Sequence, residues 1–279
     1  MIVVNLEGRL GNQLFQYAFA FNAAKKKKTR FFFYPREKNV ITKYFYLDAA
    51  THFLFLKGIF TVYNRLLKYM VKQFYSFEKI AYNVWMHDIE IKNNVHYSGH
   101  YQSEQYFLDS KKEIISKFEI KKSYQRYFLK KYGSLFAKNK VIVLHIRRTD
   151  YLLSAHPGGG DLGGNLCLPM SYYDNCLARI KDLDTFRILC VSDDIDFVRE
   201  YYKDRHFSFE KNEEIIDFQL IQHADIVIMA NSTFSWWAAY LNKKPDKIIF
   251  APKYWLGFRI NKECPVNIVP DNFIQVDVM

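Results

Sequence analysis

A chain of 279 residues, 49% apolar and with a net charge of +11, can form one large α/β domain or two ordinary ones, and it is too apolar for intrinsic disorder. No apolar run reaches the ~18–20 residues of a spanning helix, and Cys167, Cys176, Cys190 and Cys264 lack zinc-like spacing, which sets aside an integral membrane protein and a zinc module. The charge favours anionic partners, but the lysines form no compact stripe, so a nucleotide or an acidic membrane surface fits better than nucleic acid.

The chain opens with a strand over residues 1–6 and a turn, Gly8-Arg9-Leu10-Gly11-Asn12-Gln13. A helix over residues 14–24 follows, with Leu14, Tyr17, Ala18 and Phe21 at helical spacing. The run Lys25 to Lys28 complements its C-terminus. Phe31-Phe32-Phe33-Tyr34, ending at Pro35, reads as a second strand. Residues 41–82 are aromatic, basic and helical in pattern. Ile59, Val62, Tyr63, Leu66, Leu67, Met70 and Phe74 recur with the helix period, punctuated by Lys57, Arg65, Lys68 and Lys72. Such a helix packs on its own sheet or lies on a membrane. Residues 95–101 read as a strand leading to a loop, and residues 103–117 and 123–138 as helices. A domain boundary after the last of these gives units of 1–138 and 139–279.

The second half alternates regularly. Val141-Ile142-Val143-Leu144 is an unbroken β-branched run, the pattern of a buried parallel strand. Pro157 to Gly164 is the one glycine-dense stretch and reads as a mobile loop. Helices over 171–181, 195–202, 215–223 and 236–241 alternate with strands over 186–191, 226–230 and 248–251. That alternation argues a doubly wound parallel sheet.

Three strand tips carry chemistry. His145-Ile146-Arg147-Arg148-Thr149-Asp150 follows the first strand of this half, where open α/β sheets bind ligands. Arginine suits phosphate because its planar fork gives two parallel hydrogen bonds and keeps its charge. Ser192-Asp193-Asp194 can accept from a base edge or ribose hydroxyls, or cap the next helix. Asn231-Ser232-Thr233-Phe234-Ser235 opens a helix, a ready anion site, with Trp236 and Trp237 read as core. In the N-terminal turn, Gly8 and Gly11 let backbone amides approach a ligand, and Asn12 and Gln13 either cap the helix or contact that ligand. The third glycine of a dinucleotide fingerprint is missing. Two adjacent carboxylates without a third oxygen ligand make a poor magnesium site, so no metal is expected.

These motifs together resemble the α-1,2-fucosyltransferases, glycosyltransferase family eleven, of bacterial type. Gly8-Arg9-Leu10-Gly11-Asn12-Gln13 with Phe15, Tyr17 and Ala18 is similar to the family's first motif, with Arg9 where many members have a second glycine. His145 to Tyr151 matches H-x-R-R-x-D-Y, and Asn231 to Leu241 the third motif. The resemblance implies a GT-B-like α/β fold: two Rossmann-like domains facing a central cleft, the first on the acceptor side and the second binding GDP-fucose, with the last residues packing back on the first. It implies that Arg147 contacts the donor β-phosphate, and that His145 and Asp193 or Asp194 address the nucleotide. Arg148, Asn231, Ser232, Thr233 and Ser235 would add donor contacts. Gly8, Arg9, Gly11, Asn12 and Gln13 would face donor and acceptor. It implies inversion without a metal or other cofactor.

The expected reaction moves L-fucose from GDP-β-L-fucose to the 2-hydroxyl of a terminal galactose, in a free or lipid-linked glycan. Arg147 stabilises the departing diphosphate. Asp150, Asp161 and Glu7 are candidate bases, Asp150 first, and Arg148 pairs with Asp150. The loop 157–164 closes over the sugar. The expected location is the cytoplasm, with the inner membrane surface as a peripheral alternative. The rival readings are another linkage or GDP-sugar, and a non-catalytic glycan- or nucleotide-binding protein.

Overall fold

The computed structural model describes residues 1–34, 39–47, 60–81, 88–152, 162 and 164–279; for 60–65 and 67 it describes the backbone only. Among these residues, twelve strands build three sheets. The chain divides into two compact units, 1–121 and 122–279.

In the first unit, β1 (Ile2–Asn5), β2 (Phe31–Tyr34), β4 (Ser76–Lys79) and β5 (Val95–Ser98) form a parallel sheet in the order β2-β1-β5-β4. Helix α1 (Leu10–Lys26) covers one face, where Tyr17 meets the rings of Phe31 and Phe33 at 5.7 and 6.0 Å. The other face carries Val3 and Phe32, packed against Val71 of helix α3 (Phe60–Phe74). Between these stand the short helix α2 (Ile41–Tyr44) and β3 (Phe45–Tyr46), which pairs antiparallel with β6 (Glu119–Ile120).

The expected helix over 103–117 is only partly helical: 3-10 turns at Glu104–Tyr106 and Leu108–Ser110 precede α4 (Lys111–Lys117). Asn22, buried in α1, meets this break. Its amide donates to the Tyr106 carbonyl (3.0 Å), which a continuous helix would give to the Ser110 N–H, and accepts from the Ser110 hydroxyl (2.8 Å). Within 41–82, Ser76–Lys79 is a strand at the sheet edge instead of helix. Pro35, Lys57 and Ile59 lie outside the described residues.

In the second unit, six parallel strands run in the order β12-β11-β10-β7-β8-β9. They are β7 (Lys140–Ile146), β8 (Phe186–Ser192), β9 (Ser208–Glu210), β10 (Ile226–Ile228), β11 (Ile248–Pro252) and β12 (Ile274–Val276). Counted within the unit this is the 3-2-1-4-5-6 order of a Rossmann-type sheet, and its topological switch point lies between β7 and β10. One face carries Ile142, Leu144, Ile146, Ile188, Cys190 and Ile228, packed on Tyr172, Tyr173 and Cys176 of α7 (Met170–Ala178). The last residues enter this sheet through β12, with Val276 and Val278 in the same core, so they belong to their own unit.

Helix α5 (Lys122–Lys138) also belongs to the second unit, which puts the division at 121/122 and not at 138/139. Phe128 and Tyr132 are buried, and the Phe128 ring stacks on His223 of α9 (Glu214–His223) at 4.8 Å. An otherwise polar helix hides this attachment in two residues. Trp236 and Trp237 are fully buried, as expected of core, and the Trp236 indole donates to the Ile268 carbonyl (2.7 Å).

Candidate active site

The register of the second sheet sets the site. Leu144 lies opposite Ile228 and Ile146 opposite Ser192, so Arg147, Asp193 and Asn231 leave neighbouring strands at the same edge. This is the carboxyl edge at the switch point. A pleated strand alternates its faces. Arg147 therefore follows the His145 face, and Arg148 follows the Ile146 face.

Arg147 holds Asp150 with both prongs: its Nε donates to Oδ1 (2.8 Å) and Nη2 to Oδ2 (2.6 Å). Its Nε also lies 3.3 Å from Asp193. Burial opposes the guanidinium charge, but Asp150 and Asp193 outweigh it and raise the pKa further. Three of its five N–H groups have no partner among the described residues. Arg148, expected to pair with Asp150, is bound to Asp194 (3.1 Å) instead, and its guanidinium lies 3.3 Å from the centre of the Phe197 ring. The pleat is the reason, since it turns Arg148 towards the helix α8 (Ile195–Tyr201).

Asp193 organises the tip. It accepts from the Arg148 backbone N–H (2.9 Å) and the Thr149 hydroxyl (2.6 Å) and supports Arg147. Neither aspartate caps the following helix by its side chain; Asp194 occupies the N-cap position with its carboxylate on Arg148. Replacing Asp193 with alanine should lower stability by ~2 kcal/mol, because a backbone donor and a charged partner lose their acceptor together. Urea unfolding measures this; a loss below a few tenths would reduce Asp193 to a solvated surface group.

His145 is buried on β7, its ring 5.5 Å from Phe234. Burial and the Arg147 charge push its pKa down to about 3, so the imidazole is neutral. Its Nδ1 and the Oδ1 of Asn231 are buried without partners among the described residues. Two orphaned polar atoms at one sheet edge suit a ligand that brings its own hydrogen bonds.

The Asn231 turn is tied to the arginine loop. The Tyr151 hydroxyl, on the short helix α6 (Thr149–Leu152), donates to the Asn231 carbonyl (3.1 Å), and Arg147 lies 5.5 Å from the Tyr151 ring centre. The Asn231 amide donates to the Leu166 carbonyl (2.9 Å). Ser232 is the N-cap residue of α10 (Thr233–Tyr240) and makes no side-chain cap bond; Thr233 begins the helix. Ser235 is different. It is fully buried and its hydroxyl donates to the Ser232 carbonyl (3.1 Å), with the Ala230 carbonyl as the longer alternative (3.4 Å), so it shapes the turn from within.

Asp217, in the first turn of α9, belongs to no motif. Burial pushes its carboxyl up to about 6, although the Asn212 backbone and side-chain amides donate to it at 3.2 and 2.8 Å. A lone carboxylate within the apolar run Ile215-Ile216-Asp217-Phe218 was the available signal. Phe218 in turn contacts Phe234, 5.5 Å between ring centres.

In the first unit, α1 begins at Leu10, four residues earlier than its apolar period, so Gly11, Asn12 and Gln13 lie inside the helix and cap nothing. Gln13 is fully buried. Its amide donates to the Gly8 carbonyl (3.2 Å) and accepts from the Val40 N–H (2.9 Å), holding the turn. Gly8 has φ +71°, and a Cβ there would collide with the Asn12 amide. Asn12 accepts from Gln102 (2.9 Å), while Gly8 and Arg9 are exposed. Glu7 follows β1 and accepts from Asn5 and from the Ser98 hydroxyl (3.3 Å).

Of the three candidate bases, Asp150 has both oxygens engaged by Arg147, and Glu7 is bound only through neutral partners in the contacts described. Asp161 lies outside the described residues, as does the loop 157–164 apart from Leu162 and Gly164. Among the described residues no group of three His, Cys, Asp or Glu could hold a metal ion, and no helix is long and apolar enough to cross a membrane.

The sequence pattern of glycosyl transferase family 11 matches residues 1–263. The chain is similar to the Escherichia coli O-antigen biosynthesis glycosyltransferase WbnK, 27% identical over 90% of this chain and 94% of that protein. It is equally similar to an Escherichia coli α-1,2-colitosyltransferase, 27% identical over 91% of this chain and 92% of that one. Its fold is similar to that of the NodZ α-1,6-fucosyltransferase soaked with GDP-fucose, with a TM-score of 0.52 and 13% identity over 86% of this chain and 92% of that one. Arabidopsis thaliana FUT1, as a mutant in complex with GDP, gives a TM-score of 0.52 and 12% identity over 86% and 68%. The fold is thus the GT-B-like α/β type of these fucosyltransferases. With the three motifs in place, the chain belongs to glycosyl transferase family 11 and is a glycosyltransferase.

Proposed function

We propose that the chain transfers L-fucose from GDP-β-L-fucose to the 2-hydroxyl of a terminal galactose, with inversion. The observation that carries this reading is Arg147, clamped by Asp150 and Asp193 at the switch point, with three N–H groups that meet no partner among the described residues. As the bond from fucose C1 to the β-phosphate oxygen breaks, charge builds on that phosphate, and Arg147 neutralises it. The Ser232-Thr233 helix start supplies further donors. His145, neutral and buried, and Asn231 address the rest of the nucleotide. A new bond forms between C1 and the galactose oxygen, whose proton passes to a carboxylate. Asp150, with both oxygens accepting from Arg147, serves it as a positioning group, so among the candidate bases Glu7 is the one to test first. A cation and helix amides already meet the diphosphate charge, so no metal is assigned. Four free cysteines, three of them buried, suit a reducing cytoplasm.

A second reading rests on the likeness to the α-1,2-colitosyltransferase: the same linkage made with GDP-L-colitose. One experiment separates the two. The chain is incubated with GDP-L-fucose or GDP-L-colitose and with lactose, lacto-N-biose, N-acetyllactosamine or galactosyl-β-1,3-GalNAc. GDP release should require the galactoside, persist in EDTA, and give an α-1,2 product by NMR with fucose. Preference for colitose supports the second reading. A different linkage, or hydrolysis alone, rejects both.

A further inference from the structure

We propose that helix α3 and strand β4 form a docking face for an anionic lipid bilayer. The helix meets its own unit through Val71, which packs on Val3 and Phe32. Four large apolar side chains of α3 point to solvent: Leu66 is 55% exposed, Tyr69 63%, Met70 43% and Phe74 63%. At about 100° per residue they share an arc of roughly 140° on the helix surface. Lys68 and Lys72 are both exposed; Lys72 lies about 60° from the Tyr69 edge of that arc, and Lys68 about 40° further round towards Val71.

The sheet continues the face. Phe32, Val3, His96 and Phe77 form one row across four neighbouring strands. Val3 and Phe32 meet Val71, so this row lies on the α3 side. Phe77 ends it at the edge strand, 63% exposed. A monomeric surface seldom leaves five large apolar groups together without a partner.

Charge selects the occupant. Residues 60–79 hold Arg65, Lys68, Lys72 and Lys79 against the single acid Glu78, which the strand pleat turns away from Phe77. Apolar groups flanked by lysines are the pattern of a helix lying in a lipid interface, where the lysines reach anionic headgroups. A two-fold pairing of this face with a second copy would bring its lysines together.

Flotation of the full chain with vesicles tests the proposal. Binding should be strong to phosphatidylcholine–phosphatidylglycerol vesicles, weak to phosphatidylcholine alone, and weakened by salt. The pair Lys68→Gln and Lys72→Gln should lower partitioning about 25-fold. The pair Met70→Ser and Phe74→Ser should lower it about tenfold or more. These side chains are exposed, so circular dichroism and turnover of a soluble galactoside should match wild type. Indifference to lipid charge, wild-type binding by both pairs, or no binding at all would overturn the proposal. So would a dimer in sedimentation that Met70→Ser with Phe74→Ser dissolves, which would give the face to a second copy.

Discussion

Arg147→Ala should lower kcat about 100-fold or more, equivalent to ~3 kcal/mol, with a much smaller change in acceptor KM. The split follows from where the charge develops. In the proposed reaction the diphosphate charge is first shared with other donors; in the transition state a further charge appears on the β-phosphate, where a pre-placed cation acts without reorganisation. Asp150 and Asp193 fix that cation's orientation through 2.6–3.3 Å contacts, so it needs no search for its geometry. Arg147→Lys should recover only part of the loss, because a point charge cannot hold Asp150 with two prongs and still face a phosphate. The alanine variant also leaves Asp150 and Asp193 without their shared counter-ion. Rates are therefore to be compared at equal folded fraction, checked by thermal melts. An unchanged kcat removes Arg147 from the reaction.

Acid stability should show two opposed contributions. His145 titrates near 3 in the fold against an ordinary value of 6.5, so its neutral form is favoured. Its contribution is complete above pH 6.5 and falls by about 1.4 kcal/mol per pH unit as acid protonates the unfolded chain alone, about 5 kcal/mol by pH 3. Asp217 has the reverse sign. Its folded value near 6 lies above the ordinary 3.8, so its contribution is complete below pH 3.8 and is lost as pH rises to 6, about 3 kcal/mol in all. Between pH 4 and 6 the two slopes oppose each other in the wild type. His145→Gln should gain stability relative to wild type as pH falls through this window, and Asp217→Asn should gain as pH rises through it. Urea unfolding at pH 4, 5, 6 and 7 reads both. Curves parallel to wild type would mean that neither group is held away from its ordinary state.

The central strands were legible because they are apolar without interruption. Val141 to Leu144 can only be buried on both faces, and its charged tip then falls at a ligand edge. Strands β4, β9 and β12 were not legible: they are short, lie at sheet edges and carry exposed residues that break the β pattern. The division between units was misplaced because α5 looks polar, and the two rings that attach it are lost among its lysines. Within the site, residue types were readable and partners were not. Adjacent arginines and three aspartates allow several pairings, and the chain alone does not say which acid each arginine meets. Strand alternation assigns them once it is carried from Ile146 into Arg147 and Arg148.

At the tip of β7, two guanidiniums meet three carboxylates: Asp150, Asp193 and Asp194. The most basic-looking motif of a strongly cationic protein is therefore slightly acidic in total, and the surplus charge of +11 resides elsewhere. The tip itself therefore adds nothing to the long-range field that draws anions; on the proposed reading it holds the nucleotide by a few aimed N–H bonds at short range, which mobile ions barely shield. Holding the donor, unlike first drawing it in, should accordingly weaken little as salt is raised.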